Sequence, residues 1–165
     1  MGPFDDVLAA NAEYAQQFTY DGRPGKAARG LAVVACMDSR IEPLRALGLS
    51  PGDAKFLRNA GARVTDDVLR TLVLAVHLLD VSRVMVLAHT DCRMTKVTDD
   101  EVHAEILKRG VDTRSLDFRT IDNQLETLVG DVQKIRSSPY LPSDLAVTGC
   151  VYDVRTGRVD VAVPA

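Results

Sequence analysis

Two hydrophobic periods alternate along this chain. Leu31–Cys36 is an unbroken apolar run, and Val84–Ala88 is a second. Short runs of that kind, without polar alternation, predict strands buried on both faces of a parallel sheet. Val68, Leu69, Leu72, Val73, Val76 and Leu79 lie between them at helical spacing and predict a helix that Thr65 caps. Leu125, Leu128, Val129, Val132 and Ile135 mark a longer helix that ends before Pro139. Thr98 and Glu101 have the offset of a capping box and open a helix reaching about Lys108. Ile41–Leu47 reads as a short helix and Ala54–Leu57 as a weakly patterned strand. Leu145–Val151 and Val159–Val163 read as closing strands, joined by a turn over Asp153–Gly157. At the other end, Phe4, Val7, Leu8, Tyr14 and Phe18 predict an amphipathic helix over about residues 3–18. A turn-rich connection, Asp21–Ala28, follows it.

Strands and helices that alternate in this way predict an α/β fold: three layers, αβα, around a mainly parallel sheet whose C-terminal strand runs antiparallel. No linker or repeat divides the 165 residues, so one domain is expected over 1–165, with the N-terminal helix packing on its own domain or on a second subunit. Hydrophobic content of 46% and charged content of 26% are ordinary for a globular domain. The net charge of −3 and the lack of a basic stripe argue against nucleic acid as a partner. No apolar run approaches the roughly 20 residues of a membrane span, so no membrane association is expected. The acidic start Met1-Gly-Pro-Phe-Asp-Asp6 lacks the features of a secretory signal, and a cytoplasmic location is the expectation.

Chemistry concentrates at two predicted strand ends. In parallel sheets ligands bind beyond the carboxyl ends of the strands. Cys36 stands at that end of the first buried strand, and His89 at that end of the second, with Cys92 three residues on. His-x-x-Cys can deliver both side chains to one ion from a tight turn, and Cys36 would add a third ligand. Two thiolates and one imidazole with an open fourth position describe a catalytic zinc site rather than a closed structural one. Thiolates lower the ion's net charge, so activity at such a site is expected to favour higher pH. Taken singly, a cysteine at a strand end is more often packing than a ligand, and a bare His-x-x-Cys is a weak signal. The odd cysteine count, three, argues against a disulfide framework, and Cys150 reads as a buried strand residue. Asp38 and Arg40 follow Cys36 closely enough to form a carboxylate–guanidinium pair beside the metal, which would keep Asp38 ionised and oriented. His77 and His103 read as structural or solvated.

These residues resemble a known family. Cys36-Met-Asp-Ser-Arg40 is similar to the Cys-x-Asp-Ser/Ala-Arg motif of β-class carbonic anhydrases, and His89-Thr-Asp-Cys92 to their His-x-x-Cys. Arg58-Asn-Ala-Gly61 resembles a third block, and Gly149-x-x-Tyr152-Asp-Val-x-Thr-Gly157 the closing strand pair. The resemblance covers nearly the whole chain and looks most like the short, actinobacterial-type branch. It implies a β-carbonic anhydrase-like fold with one zinc ion per subunit on Cys36, His89 and Cys92. It also implies a catalytic dyad of Asp38 and Arg40, and attack of zinc-bound hydroxide on CO2 to give bicarbonate. A further implication is a closed state in which Asp38 swings onto the metal. The last is a homodimer, or a higher oligomer of dimers, that the N-terminal helix helps to hold. Val64 and Leu69 are the apolar residues suggested near CO2.

One position departs from the pattern. Arg93 stands where the family usually has Gly after the second cysteine. Glycine there would serve a positive φ or a close approach to the site. Arg93 therefore either points to solvent or enters the cleft and alters access. Two alternatives to CO2 hydration follow: hydrolysis of carbonyl sulfide or carbon disulfide on the same site, or a zinc-binding homologue without turnover.

Overall fold

The computed structural model describes residues 2–165; Met1, the first residue of the expected domain, lies outside the described residues. Five strands form one sheet: β1 (Leu31–Cys36), β2 (Ala54–Asn59), β3 (Arg83–His89), β4 (Ala146–Tyr152) and β5 (Val159–Val163). Their order is β2-β1-β3-β4-β5; the first four run parallel and β5 antiparallel. The two apolar runs thus become the adjacent central strands, and all six residues of β1 are buried. The weak strand pattern at Ala54 has a simple cause: β2 is an edge strand with no fully buried residue, and it runs on to Asn59.

The helices are α1 (Asp5–Gln17), α2 (Pro43–Ala46), α3 (Asp66–Leu78), α4 (Asp99–Leu107) and α5 (Gln124–Arg136). Thr65 caps α3 by accepting from the Val68 N–H, and Thr98 with Glu101 forms the expected capping box on α4. One sheet face, from Ala32 and Val34 through Val84 and Val86 to Val147, packs on Val68, Leu72 and Ala75 of α3 and Leu128, Val132 and Ile135 of α5. Gly149 makes that contact possible: a Cβ there would lie 2.9 Å from Leu128 and 3.0 Å from Val163. The opposite face, with Leu31, Val33, Ala35, Leu87 and Cys150, is covered more thinly, by Leu47, Leu49 and other side chains around the short α2. Pro43 starts α2 at its first turn, so the helix is shorter than the expected Ile41–Leu47, and Ile41 is instead buried beside Cys36.

α1 behaves unlike the rest. Among the described residues it buries none of its side chains, and Phe4, Val7, Leu8, Tyr14 and Phe18 are all more than half exposed. No helix of the described residues is long and apolar enough to cross a membrane.

Candidate metal centre

The carboxyl ends of β1 and β3 lie side by side, and this carries Cys36 and His89 into one crevice. The chain then turns sharply through Thr90 and Asp91, and the turn brings Cys92 back. The Sγ atoms of Cys36 and Cys92 and a ring nitrogen of His89 all lie within 4.8 Å of one another, and all three residues are buried. Ile41, Ala62, Met94 and Tyr152 pack against the two cysteines.

Each donor is prepared for a cation. His89 Nδ1 donates to the Thr90 carbonyl at 2.9 Å, which leaves Nε2 as the lone-pair nitrogen. That Nε2 is buried and without a hydrogen-bond partner among the described residues. An orphaned buried nitrogen costs free energy unless something binds it, and an ion would. The His89 carbonyl is held in turn by Gln124 Nε2 at 2.9 Å. The two thiols compete for one proton. The adjacent Cys92 sulfur first, then the neighbouring His89 ring and the Gly61 N–H, hold Cys36 well below the usual thiol range. The Cys36 sulfur and burial push Cys92 up. Burial disfavours a charged His89, yet the nearby Cys36 sulfur raises it on balance. A dication takes the place of that shared proton and satisfies all three groups at once. The donor set fits zinc.

A short turn, 59–63, buttresses Cys36. Gly61 N–H donates to Cys36 Sγ at 3.4 Å. Gly61 has φ +80°, and a Cβ there would sit 3.1 Å from Ile121 and 3.3 Å from Met94, so only glycine fits. Asn59 closes the turn on both backbone groups of Arg63, at 2.7 and 2.8 Å. Arg63 then reaches Asp131 on α5 at 2.8 Å, a largely buried ion pair. Arg58 donates to the carbonyls of Cys36 and Asp38. The block Arg58–Gly61 thus acts on the metal site through its backbone and its arginine.

Asp38 and Arg40 pair as expected. Arg40 Nε and Nη2 reach the two Asp38 oxygens at 2.9 and 2.7 Å, and this holds the Asp38 carboxyl well below the usual range. Asp38 Oδ2 stands 4.0 Å from His89 Nε2, facing the metal centre. Sequence reasoning missed the partner on the other side: Asp91 Oδ2 accepts from Arg40 Nη1 at 2.8 Å. Lys96 and then Arg40 lower Asp91 to about 2. The signal was present, an acid inside the His-x-x-Cys turn, but spacing alone does not connect it to an arginine 51 residues away.

Several other expectations resolve here. Arg93 is exposed on an outer cleft with Lys96, Glu101 and Lys108, clear of the dyad's hydrogen bonds. Its backbone is not among the positive-φ residues; Asp91, at φ 56°, makes that turn instead. No conformational reason for glycine therefore applies at Arg93. Val64 is buried in the main core with Val68 and Leu72, and Leu69 lines a groove with Arg70, Val73 and Tyr140. Cys150 is a buried strand residue. His77 bonds to the Tyr140 carbonyl, and His103 to Thr113 with Phe118 against its ring.

A parallel α/β sheet that brings two cysteines and a histidine to its strand ends, with a carboxylate aimed at them, defines a Cys2His metal-dependent enzyme. Comparison with known proteins narrows the class. A carbonic anhydrase family model matches residues 31–127. Beta-carbonic anhydrase 1 of Mycobacterium tuberculosis is 34% identical over 97% of this chain and 98% of its own length. A carbon disulfide hydrolase of an Acidianus strain is 30% identical over 79% of this chain and 76% of its own. The crystal structure of a carbonic anhydrase from Streptococcus mutans superposes with a TM-score of 0.92 at 39% identity, covering 98% of both chains. The chain belongs to the β-carbonic anhydrase family.

Proposed function

We propose that this protein catalyses the reversible hydration of CO2 to bicarbonate, with zinc held by Cys36, His89 and Cys92. The observation that carries this is the convergence of the three ligand atoms within 4.8 Å, one of them the orphaned Nε2 of His89. Zinc bound there would supply a Lewis acid that eases the loss of a proton from water. The chain's own residues do the rest. Asp38 is kept ionised by Arg40 and accepts a hydrogen bond from the O–H of the attacking water, which directs an oxygen lone pair at the carbon of CO2. Arg40 compensates the Asp38 charge and fixes its plane. Ile41, Ala62, Met94 and Tyr152 exclude competing water from the ligands. Oxygen adds to carbon, one C=O becomes a C–O single bond, and a proton leaves to solvent.

The test is stopped-flow CO2 hydration by zinc-quantified protein at about pH 8.5, above the ~7 expected of a zinc-bound water. Turnover that scales with zinc content supports the reading; stoichiometric zinc without turnover would favour a non-catalytic homologue. The carbon disulfide hydrolases among the relatives supply a second substrate class, and release of sulfide from carbon disulfide or carbonyl sulfide tests it in the same preparation.

We place the enzyme in the cytoplasm, where its three free cysteines stay reduced. It acts as one domain over 1–165, and its N-terminal helix is an interface for a second copy. The support for that pairing is the exposed row Phe4, Val7, Leu8, Tyr14 and Phe18 on a helix that, among the described residues, buries none of its side chains. A homodimer, or dimers assembled further, follows.

A further inference from the structure

Arg40 has two edges, and the structure uses both. Nε and Nη2 grip Asp38. On the other side, Nη1 donates to Asp91 Oδ2 at 2.8 Å and Nη2 donates to the Asp91 carbonyl at 3.1 Å. The second Asp91 oxygen is paired with Lys96. Four alternating charges therefore run outward from the metal centre: Asp38, Arg40, Asp91, Lys96. The backbone cooperates, because Asp91 has φ 56°, a left-handed conformation that Asp and Asn tolerate better than most residues. One residue in the His89–Cys92 turn thus offers both a carboxylate and a carbonyl to the same guanidinium.

Resting on the carbonic anhydrase reading of the site, we propose that Asp91 is a positioning residue for the reaction: it clamps the outer edge of Arg40 and, through Arg40, holds the Asp38 carboxylate at the metal centre. A bidentate arginine–carboxylate pair orients its carboxylate only as well as the arginine is itself held. Arg40 is a long side chain, 44% exposed, and with one edge free it would keep torsional freedom. Misplacing a reacting group by about 1 Å can cost two orders of magnitude in rate. Asp38 Oδ2 is 4.0 Å from the metal-facing nitrogen of His89, so its placement is of that kind. The clamp also joins two ligand-bearing segments, since Arg40 follows Cys36 while Asp91 lies between His89 and Cys92.

Two variants test this. Asp91→Asn keeps the shape and one acceptor but loses the charge; Asp91→Gly removes the side chain, and both residues suit the positive φ. Each is made in the wild-type and in the Asp38→Asn background. Zinc content, kcat and KM for CO2, and the visible spectrum of the cobalt-substituted protein are measured. Zinc content is expected to stay at the wild-type value. The kcat should fall roughly ten- to hundredfold, as for loss of a charged hydrogen bond acting in the transition state, more in Gly than in Asn, with KM little changed. In the Asp38→Asn background neither substitution should lower kcat further, because the clamp acts through Asp38. The cobalt spectrum should shift in Asp91→Gly but not in the matching double variant. Wild-type kcat in both single variants would overturn the proposal, as would loss of zinc in both or an equal fall in the Asp38→Asn background. If the wild-type protein held zinc without turnover, the functional reading would fail separately. The cobalt spectra would then still decide whether Asp91 positions Asp38.

Discussion

Asp38 and Gly61 are placed at the metal centre in different ways, and single substitutions separate the roles proposed for them. Asp38 touches none of the three ligands at bonding distance, and its oxygens belong to Arg40. Asp38→Ala is therefore expected to retain zinc and lose most CO2 hydration activity, measured as metal per chain alongside stopped-flow rates; equal loss of zinc would contradict the role. Gly61 works through its backbone. Gly61→Ala forces a side chain into a positive φ against Ile121 and Met94 while disturbing the N–H that meets Cys36. A loss of about 1–3 kcal/mol in urea denaturation is expected, with weaker zinc retention in a chelator competition. Both residues lie in motifs visible in the sequence. Only Asp38 carried a readable role there, because a carboxylate two residues from an arginine has its own chemistry. A glycine's role depends on what would collide with its missing Cβ, and Ile121 and Met94 are far away in sequence.

At the scale of elements, the ion pair between Arg63 and Asp131 ties the turn behind Cys36 to α5. Asp131→Ala leaves Arg63 largely buried and unpaired, and a destabilisation of about 3 kcal/mol or more is expected, read from the shift in denaturation midpoint. The strands and helices themselves were largely legible. β1 and β3 are buried on both faces, so their apolar runs had no competing explanation, and the caps at Thr65 and Thr98 were local patterns realised locally. Two elements were less legible, for a shared reason. β2 is an edge strand and α2 a single turn begun by Pro43; neither buries enough to impose a period on its sequence. α1 is the opposite case: its apolar row was plain, yet none of its residues is buried in its own fold. Removal of residues 2–18 is expected to shift the protein towards monomer, as measured by sedimentation.

For the whole molecule, metal and acid act on different groups. Chelation returns His89 Nε2 to an unpartnered state and leaves two buried sulfurs sharing a proton, so zinc removal is expected to lower the thermal midpoint reversibly. Acid acts through carboxylates bound by donors. Asp99 accepts from the Thr120 side chain and from the backbone of Thr120 and Phe118, which lowers it from 3.8 to about 2. A group depressed in the folded state adds stability above the unfolded value and loses it as the pH falls, here between about 4 and 2. Melting curves across that window should show a shallower decline for Asp99→Asn than for the wild type.

By itself the chain determined its apolar periods, its caps and the residue types able to bind a metal, because these depend on neighbours within a few positions. Register and strand order depend on burial shared across the whole sheet. They alone decided that Cys36 and His89 end on adjacent strands, that Asp91 lies beside Arg40, and that Arg93 faces outward.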